Sequence, residues 1–370
     1  MNINSGYIPG ERTQRGDELR VGYVPLMDAA PVIMAQEKGF FAAYGLNVKL
    51  ERELGWAAVR DKIVFGQLHA AHALAGMVWS TTLGIRCQQR DCATGLIINA
   101  HGNAITLSKE LYRSGVRDAK SFAVRVRTDR KIKRYTLAVV AGVSTHYYLM
   151  KKWLESAGLD ITKDVRIVTI PPSLMASNLE EGNIDGFCVG EPWNTVSVEK
   201  SGGVVVATSR DIDRYHTEKV LMASAEFIHE READYIALAA AVLEGCKYCY
   251  ARENHQEVAE VIARRQYLNT EASLLERSLS GQLACAKGDE VSASQELHLF
   301  YGGDVNLPTG SKARRVWAQI EQTAVYPFLP AKEINALAEG LFLKSLFEKV
   351  EARVASQKRK PKSIQAAPVH

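Results

Sequence analysis

The chain has 370 residues, of which 46% are hydrophobic and 24% are charged, and its formal net charge is +4 at pH 7. This length predicts two domains or one large bilobal unit, and the composition is typical of a globular protein. The net charge is too small to indicate nucleic-acid binding by itself, and no apolar run reaches the roughly 18 residues that a membrane-spanning helix needs.

The first 18 residues are polar and contain Gly6, Pro9 and Gly10. Neither an apolar segment nor a cleavage site follows Arg12 and Arg15, so this stretch lacks the pattern of an export signal. We therefore predict a disordered segment over residues 1–18 and a cytoplasmic location.

The cysteines lie in mostly apolar or helical sequence and agree with a reducing compartment. Cys246 and Cys249 form a Cys-x-x-Cys pair inside a helical pattern, without a second pair at zinc spacing. The pattern favours buried thiols over a metal or redox motif.

Strand and helix patterns alternate from residue 19 to residue 83. The first helix, for example, has Pro31 near its first turn and ends before Gly39. This alternation predicts an α/β layer architecture. The predicted elements are strands over 19–25 and 47–52, a turn and a short strand over 66–74, and helices over 29–38, 56–65 and 76–83.

Trp56 stands at the start of one of these helices, directly after Gly55. The N-terminus of a helix has unpaired N–H groups and a partial positive charge, so it suits an anion, and an indole adds one N–H donor. A tryptophan that only packs is an equally good interpretation of this stretch alone. Three later polar segments, residues 99–106, 142–146 and 216–219, lie where strands meet helices or crossovers. Together with Trp56 they predict one small anion pocket.

A strongly basic stretch follows a long apolar strand over 94–107, which residues 101–103 interrupt. Residues 109–134 contain ten lysines and arginines against three acidic residues. Such a stretch is most often a solvated face. The scarcity of aromatic residues there argues against an RNA-binding platform, so a surface for an acidic partner protein is the better functional interpretation.

The remainder of the chain continues the strand and helix pattern and then becomes helical. Trp193 follows Glu191 and Pro192 where a loop opens a helix, and we predict that it packs rather than lines a cleft. The predicted elements are strands over 135–140, 165–170, 184–189, 203–207 and 216–223, helices over 146–157, 173–180, 234–252, 254–265, 271–283 and 310–322, one amphipathic helix over 332–355, and a basic disordered tail over 356–370.

Six strings stand out along the chain: Gly22-Tyr23-Val24-Pro25-Leu26-x-Asp28-Ala29-Ala30-Pro31, Glu37-Lys38-Gly39-Phe40-Phe41-Ala42-x-Tyr44-Gly45-Leu46-x-Val48, Trp56-x-x-x-Arg60-Asp61-Lys62, Gly142-x-x-Thr145-His146, Pro171-Pro172-x-x-Met175 and Gly190-Glu191-Pro192-Trp193-Asn194. With these strings the chain closely resembles the nitrate- and bicarbonate-binding proteins of bacterial ABC transporters, over roughly residues 19–330. Within that family it most resembles the cytoplasmic nitrate/nitrite sensor branch (NasS type), which lacks a secretion signal.

The resemblance implies an α/β, two-lobed, periplasmic-binding-protein-like fold of type II (Venus flytrap) with two crossover strands. Lobe one is expected over 19–106 and 219–330 and lobe two over 107–218. A C-terminal amphipathic helix over 331–355 and the basic tail follow.

The resemblance also implies four anion ligands: Trp56, Asn103, His146 and Lys219. Trp56 and His146 match the family's tryptophan after the second strand and its histidine in the Gly-x-x-Thr-His turn, and Lys219 matches the lysine after His-x-Glu. The family often has Gly-Gln-Gly at the first crossover, where this chain has Gly-Asn-Ala. Asn103 is therefore the candidate amide donor at this position.

The chemistry of these side chains suits nitrate, a planar monoanion that has no proton to donate. Its site needs donors and positive charge and should avoid carboxylates that point inward. Lys219 supplies a charge and three donors, and His146 supplies an N–H and, when protonated, a second charge. Taken singly, however, a lysine such as Lys219 is more often a surface residue, and a histidine such as His146 is more often a core or turn residue. Bicarbonate stays open as a ligand, because Glu218 could accept its proton.

Three functions are compatible with the sequence. The first is a cytoplasmic nitrate/nitrite sensor that releases an RNA-binding transcription antiterminator protein (NasT type) when the anion binds. The second is the substrate-binding component of an ABC transporter for nitrate, nitrite or bicarbonate. The third, an enzyme, is disfavoured, because we find no nucleophile–base pair, phosphate loop or metal-ligand spacing. We predict no cofactor, no catalytic or metal-binding residues, no membrane contact and no direct contact with nucleic acid.

Overall fold

The computed structural model describes residues 17–286, 291–293, 297–322 and 329–358 of the chain. Of the predicted disordered segment over 1–18, residues 1–16 lie outside the described residues, and the predicted basic tail does so from residue 359. The last described helix runs to Lys358, so residues 356–358 are helical and not part of a disordered tail.

The described strands form two separate sheets and one short hairpin. The hairpin pairs β11 with β12. In chain order the strands are β1 Leu19–Tyr23, β2 Val48–Arg52, β3 Ala70–Leu74, β4 Cys92–His101, β5 Asn103–Leu107, β6 Thr136–Val139, β7 Arg166–Thr169, β8 Gly186–Gly190, β9 Val204–Thr208, β10 Thr217–Ser224, β11 Gln282–Ala284, β12 Val291–Ala293 and β13 His298–Leu299.

The first sheet has the strand order β13-β4-β10-β3-β1-β2, and the second has the order β7-β6-β8-β5-β9. In the first sheet β1 is parallel to β2 and β3, whereas β10 is antiparallel to both of its neighbours. In the second sheet β6 is parallel to β7 and β8, and β5 runs antiparallel to β8 and β9. We call the parts of the chain built on these sheets the first lobe and the second lobe.

Helices cover both sheets, as the α/β alternation predicts. Short 3-10 turns cover residues 27–29, 172–174 and 252–254, and residues 197–201 form a π-helical turn. The α-helices are α1 Ala30–Glu37, α2 Phe40–Ala43, α3 Trp56–Val64, α4 Ala75–Thr82, α5 Lys109–Arg113, α6 Ala119–Asp129, α7 Thr145–Glu155, α8 Met175–Glu180, α9 Trp193–Val196, α10 Ser209–Ile212, α11 Ala225–Glu230, α12 Glu232–Tyr250, α13 His255–Ile262, α14 Ala272–Leu279, α15 Gly310–Glu321, α16 Ala331–Leu341 and α17 Lys344–Lys358.

The chain crosses between the lobes where the sequence predicted an interruption, between β4 and β5. His101 and Gly102 have φ angles of 65° and 93°, in the left-handed region that strands do not use. The strand therefore ends there, and β5 continues in the other sheet. The return crossing lies between β9 and β10.

The position of β5 concerns the predicted boundary between the lobes at residues 106 and 107. β5 lies in the second lobe, whereas lobe one was expected to continue to residue 106. The predicted ranges, 19–106 and 219–330 for lobe one and 107–218 for lobe two, stay a prediction.

Each lobe has its own apolar core, and a third apolar cluster joins the two lobes. In the first lobe α12 packs on α1 and α17, and in the second lobe α6 and α7 cover the sheet. The joining cluster contains Val24 and Leu26 from the first lobe with Phe187 and Trp193 from the second. The lobes are thus held together by apolar contact as well as by the two crossings.

The segment that contains Trp193 attaches one lobe to the other. The Trp193 indole donates to the Pro25 carbonyl at 3.1 Å, and the Met27 amide donates to the Glu191 carbonyl at 2.8 Å. Trp193 is buried. The prediction that it packs is confirmed.

The prediction of one continuous helix over residues 331–355 is wrong, because two helices meet at Phe342 and Leu343. Phe342 is fully buried and extended, and it pairs with Thr94 beside the first sheet. The Leu343 amide donates to the Thr94 carbonyl at 2.9 Å. The spacing of apolar residues does not reveal this break, since it comes from contact with a distant strand.

The basic stretch of the second lobe uses much of its charge locally. The guanidinium groups of Arg117, Arg127 and Arg134 donate to backbone carbonyls, and Arg125 and Lys133 pair with carboxylates. These contacts give five of its ten cations a structural role. Across the described ranges, no helix combines the length and the apolar character that a bilayer crossing requires.

Candidate functional site

Lys219 is fully buried as the third of the eight residues of β10, a strand with hydrogen-bonded neighbours on both sides. Its Nζ lies 2.6 Å from Asp28 Oδ2 and 2.6 Å from Glu218 Oε1, and neither carboxylate side chain is more than 3% exposed. Burial acts to lower the pKa of Lys219, but attraction to the two carboxylates outweighs it and raises the pKa above its ordinary value. The lysine is therefore held in its charged form.

An irregularity in β10 lets Glu218 and Lys219 meet. Consecutive residues of a regular strand point to opposite faces of the sheet, so the 2.6 Å contact between these neighbours would not form on a regular strand. The pairing of β10 with β4 shifts in register between Thr217 and Lys219 and again between Lys219 and Val220. Bulges of this kind re-aim side chains and are common next to binding sites.

Asp28 lies in the 3-10 turn that follows β1, and it joins Lys219 to His72 on β3. Its Oδ1 lies 2.8 Å from His72 Nε2. Burial acts to raise the pKa of Asp28, but the charge of Lys219 and the contact with His72 hold that pKa well below its usual range. Burial lowers the pKa of His72, in spite of the attraction of Asp28. The aspartate is thus ionised and the histidine neutral at pH 7.

Glu218 lies between two buried histidines. His146 Nε2 is 3.8 Å from its Oε1, and His216 Nε2 is 3.5 Å from its Oε2. Burial acts to raise the pKa of Glu218, but Lys219 and the two histidines lower it below its ordinary value. Burial lowers the pKa of His146 to about 4, against the attraction of Glu218, so its ring is neutral at pH 7.

Three of the four predicted ligands contain buried polar atoms that have no hydrogen-bond partner among the described residues. These atoms are Trp56 Nε1, both side-chain polar atoms of Asn103, and both ring nitrogens of His146. The three side chains belong to residues that are at most 4% exposed. A buried donor without a partner costs free energy, so a site where several such donors lie together favours an acceptor ligand.

These side chains surround the same region as the ion pairs of Lys219. Lys219 Nζ lies 5.4 Å from the centroid of the Trp56 ring. Asn103 faces Gly190, and a methyl group on Gly190 would lie 3.3 Å from Asn103 Oδ1 and 3.7 Å from Asp28 Oδ2. The structure therefore brings Trp56, Asn103, His146 and Lys219 together, and a side chain at position 190 would lie against the polar atoms of this region.

Both lobes contribute the start of a helix to the site. Trp56 is the first residue of α3 in the first lobe, and His146 is the second residue of α7 in the second lobe. Because the first turn of a helix has a partial positive charge, these two helices favour an anion between them. A cleft of about 430 Å³, lined by Trp56, Arg60, Gly142 and Tyr147, separates the lobes outside the buried region.

Sequence reasoning missed two members of the site, Asp28 and His72. Asp28 belongs to the segment over residues 22–31 that carries the family resemblance, but no role was predicted for it. His72 is a single polar residue within the apolar strand β3. The expectation that carboxylates avoid the site is wrong, because Asp28 and Glu218 both point into it and pair with Lys219. Within the part of the chain that the structure describes, no group of three His, Cys, Asp or Glu residues could hold a metal ion.

The NMT1-like family matches this chain over residues 13–263. A nitrate/nitrite binding protein, NrtA, from Synechococcus elongatus is 30% identical over 354 residues, which are 93% of this chain and 79% of that protein. A bicarbonate transport ATP-binding protein, CmpC, from Synechocystis sp. is 37% identical over 313 residues, which are 84% of this chain. This chain spans about half the length of that relative, 46%.

A solved structure supports the fold. The periplasmic nitrate-binding protein NrtA from Synechocystis PCC 6803 superposes with a TM-score of 0.86 at 23% identity, covering 94% of this chain and 92% of that one. The similarity confirms the predicted periplasmic-binding-protein-like fold. The relatives are binding and transport components, which confirms the prediction that this chain is not an enzyme.

Replacing the buried cation tests the ion pairs of the site. Lys219→Met leaves Asp28 and Glu218 without their counter-charge, so we expect the free energy of unfolding at pH 7 to fall by about 3–5 kcal/mol. Urea unfolding followed by circular dichroism measures this loss. Lys49→Met is the control, because Lys49 is exposed and lies 4.0 Å from its partner Glu51, and it should change stability by at most about 0.5 kcal/mol.

The free energy of unfolding of Lys219→Met should change with pH in the opposite direction from that of the unaltered protein. The folded-state pKa values of Asp28 and Glu218 are lowered, so their contribution to stability is present above their unfolded pKa of roughly 4 and is lost as the pH falls below it. Without Lys219, burial raises both pKa values. The deficit of Lys219→Met should therefore shrink between pH 7 and pH 4, and a deficit that stays constant or grows would contradict this assignment.

Proposed function

The chain belongs to the NMT1-like family and to the nitrate- and bicarbonate-binding group of substrate-binding proteins, and on this premise we propose that it binds nitrate or nitrite between its two lobes. The observation that carries the proposal is the convergence of buried, unpartnered donors on Trp56, Asn103 and His146 beside the charged Lys219. Trp56 and Lys219 come from the first lobe, and Asn103 and His146 come from the second.

A planar monoanion suits the number and kind of these donors. Each oxygen of nitrate accepts hydrogen bonds in the plane of the ion, and the indole, amide and imidazole side chains each offer one N–H or more. Lys219 is the buried cation nearest these donors, although Asp28 and Glu218 already pair with it. The two helix starts that position Trp56 and His146 add partial charge of the same sign.

Bicarbonate is the second candidate ligand. It differs from nitrate by one hydroxyl proton, which needs an acceptor in the site. Glu218 Oε2 and Asn103 Oδ1 are buried oxygens without a hydrogen-bond partner in the described ranges, and either could accept that proton. Bicarbonate-transport proteins among the relatives add support.

Entry of the ligand requires the lobes to separate. The four ligand residues are between 0% and 4% exposed, so an anion cannot reach them while the lobes are in contact. The two crossings between the lobes, at residues 101–103 and 209–216, are the places where a hinge motion would occur. Anion binding would then favour the closed form over the open one.

We further propose that the chain is a cytoplasmic nitrate/nitrite sensor that releases an RNA-binding transcription antiterminator (NasT type) when it closes. The resemblance of its motifs to the NasS-type branch supports this role. The thiols of Cys246 and Cys249 also support it, because both are buried on α12 and form no disulfide. Buried, unbonded thiols are typical of proteins in a reducing compartment.

The alternative is a substrate-binding component of an ABC transporter for nitrate, nitrite or bicarbonate. The roles of the relatives, a periplasmic nitrate-binding protein and a bicarbonate transport protein among them, favour it. Fractionation of the cells that make the protein separates the two roles. Recovery of the chain outside the cytoplasm would contradict the sensor.

Removing one donor while keeping the ring tests the site directly. Trp56→Phe deletes the indole N–H, so we expect nitrate binding to weaken by about 1.5–3 kcal/mol, the usual range for a hydrogen bond to a charged group. Isothermal titration calorimetry measures the change. Trp79→Phe is a matched control, because the Trp79 indole is also buried but donates to the Ala313 carbonyl at 3.0 Å away from the site. Equal affinities in Trp56→Phe and the unaltered protein would remove Trp56 from the ligand set.

The sensor role predicts a reciprocal effect between anion and partner protein. If the partner prefers the open lobes and nitrate the closed ones, each must weaken the binding of the other by the same factor. A typical coupling of roughly 1–3 kcal/mol corresponds to about a 5- to 150-fold change in either affinity. Titration of nitrate with and without saturating partner measures this factor, and the same affinity in both titrations would rule out release by this mechanism.

A further inference from the structure

The buried charges of the site do not balance. Asp28 and Glu218 are both within 2.6 Å of one lysine, Lys219, and all three side chains are at most 3% exposed. These three side chains together have a net charge of −1. An anion that enters would raise the buried charge to −2, although buried charges are stable only when they are compensated.

We propose that the anion binds together with one proton, and that Glu218 and the two histidines beside it, His146 and His216, hold that proton. This inference rests on the proposed function of the site. The net change is the protein plus one monoanion plus one proton, so the buried charge is −1 before and after binding. Because nitrate is the anion of a strong acid, the proton must lie on the protein and not on the ligand.

The geometry around Glu218 suits this role. One histidine lies near each of its oxygens, His146 Nε2 at 3.8 Å and His216 Nε2 at 3.5 Å. Both ring nitrogens of His146 lack a partner among the residues described. A protonated His146 would therefore donate one N–H toward Glu218 and keep the other for an oxygen of the anion, and both bonds would be charge-assisted.

The neighbouring elements determine where the proton is stable. His216 already has its Nδ1 2.9 Å from the Asp213 carbonyl, so a proton on Nε2 would meet Glu218. His72 is bonded through Nε2 to Asp28, at 2.8 Å. The other charged and titratable groups that face these histidines are Lys219, Asp28, Asp213, His101 and Arg210.

Burial lowers the pKa of His146 in this structure, and Lys219 adds to that effect. An anion placed beside the ring supplies a negative charge that favours the protonated form. The histidine therefore passes from neutral to charged as the anion arrives, which is the origin of the coupled proton.

Calorimetric titration of the full chain with potassium nitrate in two buffers tests the proposal. HEPES and Tris release different heats when they give up a proton, so uptake of one proton makes the observed heat of binding differ between them by that difference. Linkage also requires the nitrate affinity to be about tenfold weaker at pH 8 than at pH 7 for one coupled proton. Saturable binding with both effects supports the inference.

The two ways of failing are distinct. Saturable binding with equal heats in both buffers and an affinity that does not change with pH would overturn the coupled proton and leave nitrate binding intact. The absence of saturable heat in either buffer would overturn nitrate binding itself, and the inference with it.

A variant at Glu218 tests whether the negative charge of this residue is the reason for the proton uptake. Glu218→Gln removes one buried negative charge at nearly constant shape, so the affinity of the folded variant should no longer depend on pH and its heats should agree in the two buffers. Glu53→Gln is the matched control, since Glu53 is also a buried glutamate paired with a lysine, Lys62, and it should keep the proton uptake. Uptake that persists in folded Glu218→Gln would overturn the proposal that the charge of Glu218 couples the proton to the anion. If that variant does not fold, His146→Gln serves in its place. It removes the ring that takes up the proton, so its heats should agree in the two buffers, and uptake that persists there would overturn the role of His146.

Discussion

The contact of one buried lysine with two buried carboxylates is the constraint on which the binding region depends. Desolvating such a group is costly, and it is stable only when each member keeps its partners. Lys219 and Glu218 come from the central part of the first sheet, and Asp28 comes from the turn after β1. The bulged pairing of β10 is therefore a requirement of this contact, because a regular strand would point Glu218 and Lys219 to opposite faces of the sheet.

The second lobe completes the region with polar groups that the first lobe cannot supply. Asn103 is the first residue of β5, at the end of the crossing over residues 101–103, and His146 lies in the first turn of α7. Within the described ranges their buried side-chain nitrogen and oxygen atoms have no hydrogen-bond partner, and His146 Nε2 lies 3.8 Å from Glu218 Oε1 of the first lobe. A ligand that satisfies these atoms therefore stabilises the closed form, and this links anion binding to any partner that distinguishes open lobes from closed ones.

The sequence predicted the elements, and which four side chains would lie together, better than it predicted the ion group; that these four bind the anion stays a prediction. Strand and helix periods are local, so β1, α1 and α3 lie close to their predicted positions, and the resemblance supplied Trp56 and Lys219. By contrast, the contacts of Asp28 and His72 join residues far apart in the chain, and only a lone histidine in an apolar strand hinted at one of them. The break between α16 and α17 escaped prediction for the same reason, because Phe342 leaves the helix to pair with Thr94.

The central claim is that this buried site binds a planar monovalent oxyanion. The most direct measurement is calorimetric titration of the unaltered chain at one pH and constant ionic strength with four sodium salts: nitrate, nitrite, bicarbonate and sulfate. We predict saturable binding of one nitrate or nitrite per chain and no saturable binding of sulfate, whose second charge would require a second compensating proton. Sulfate binding as tight as nitrate binding, or no binding of any of the four anions, would contradict the account.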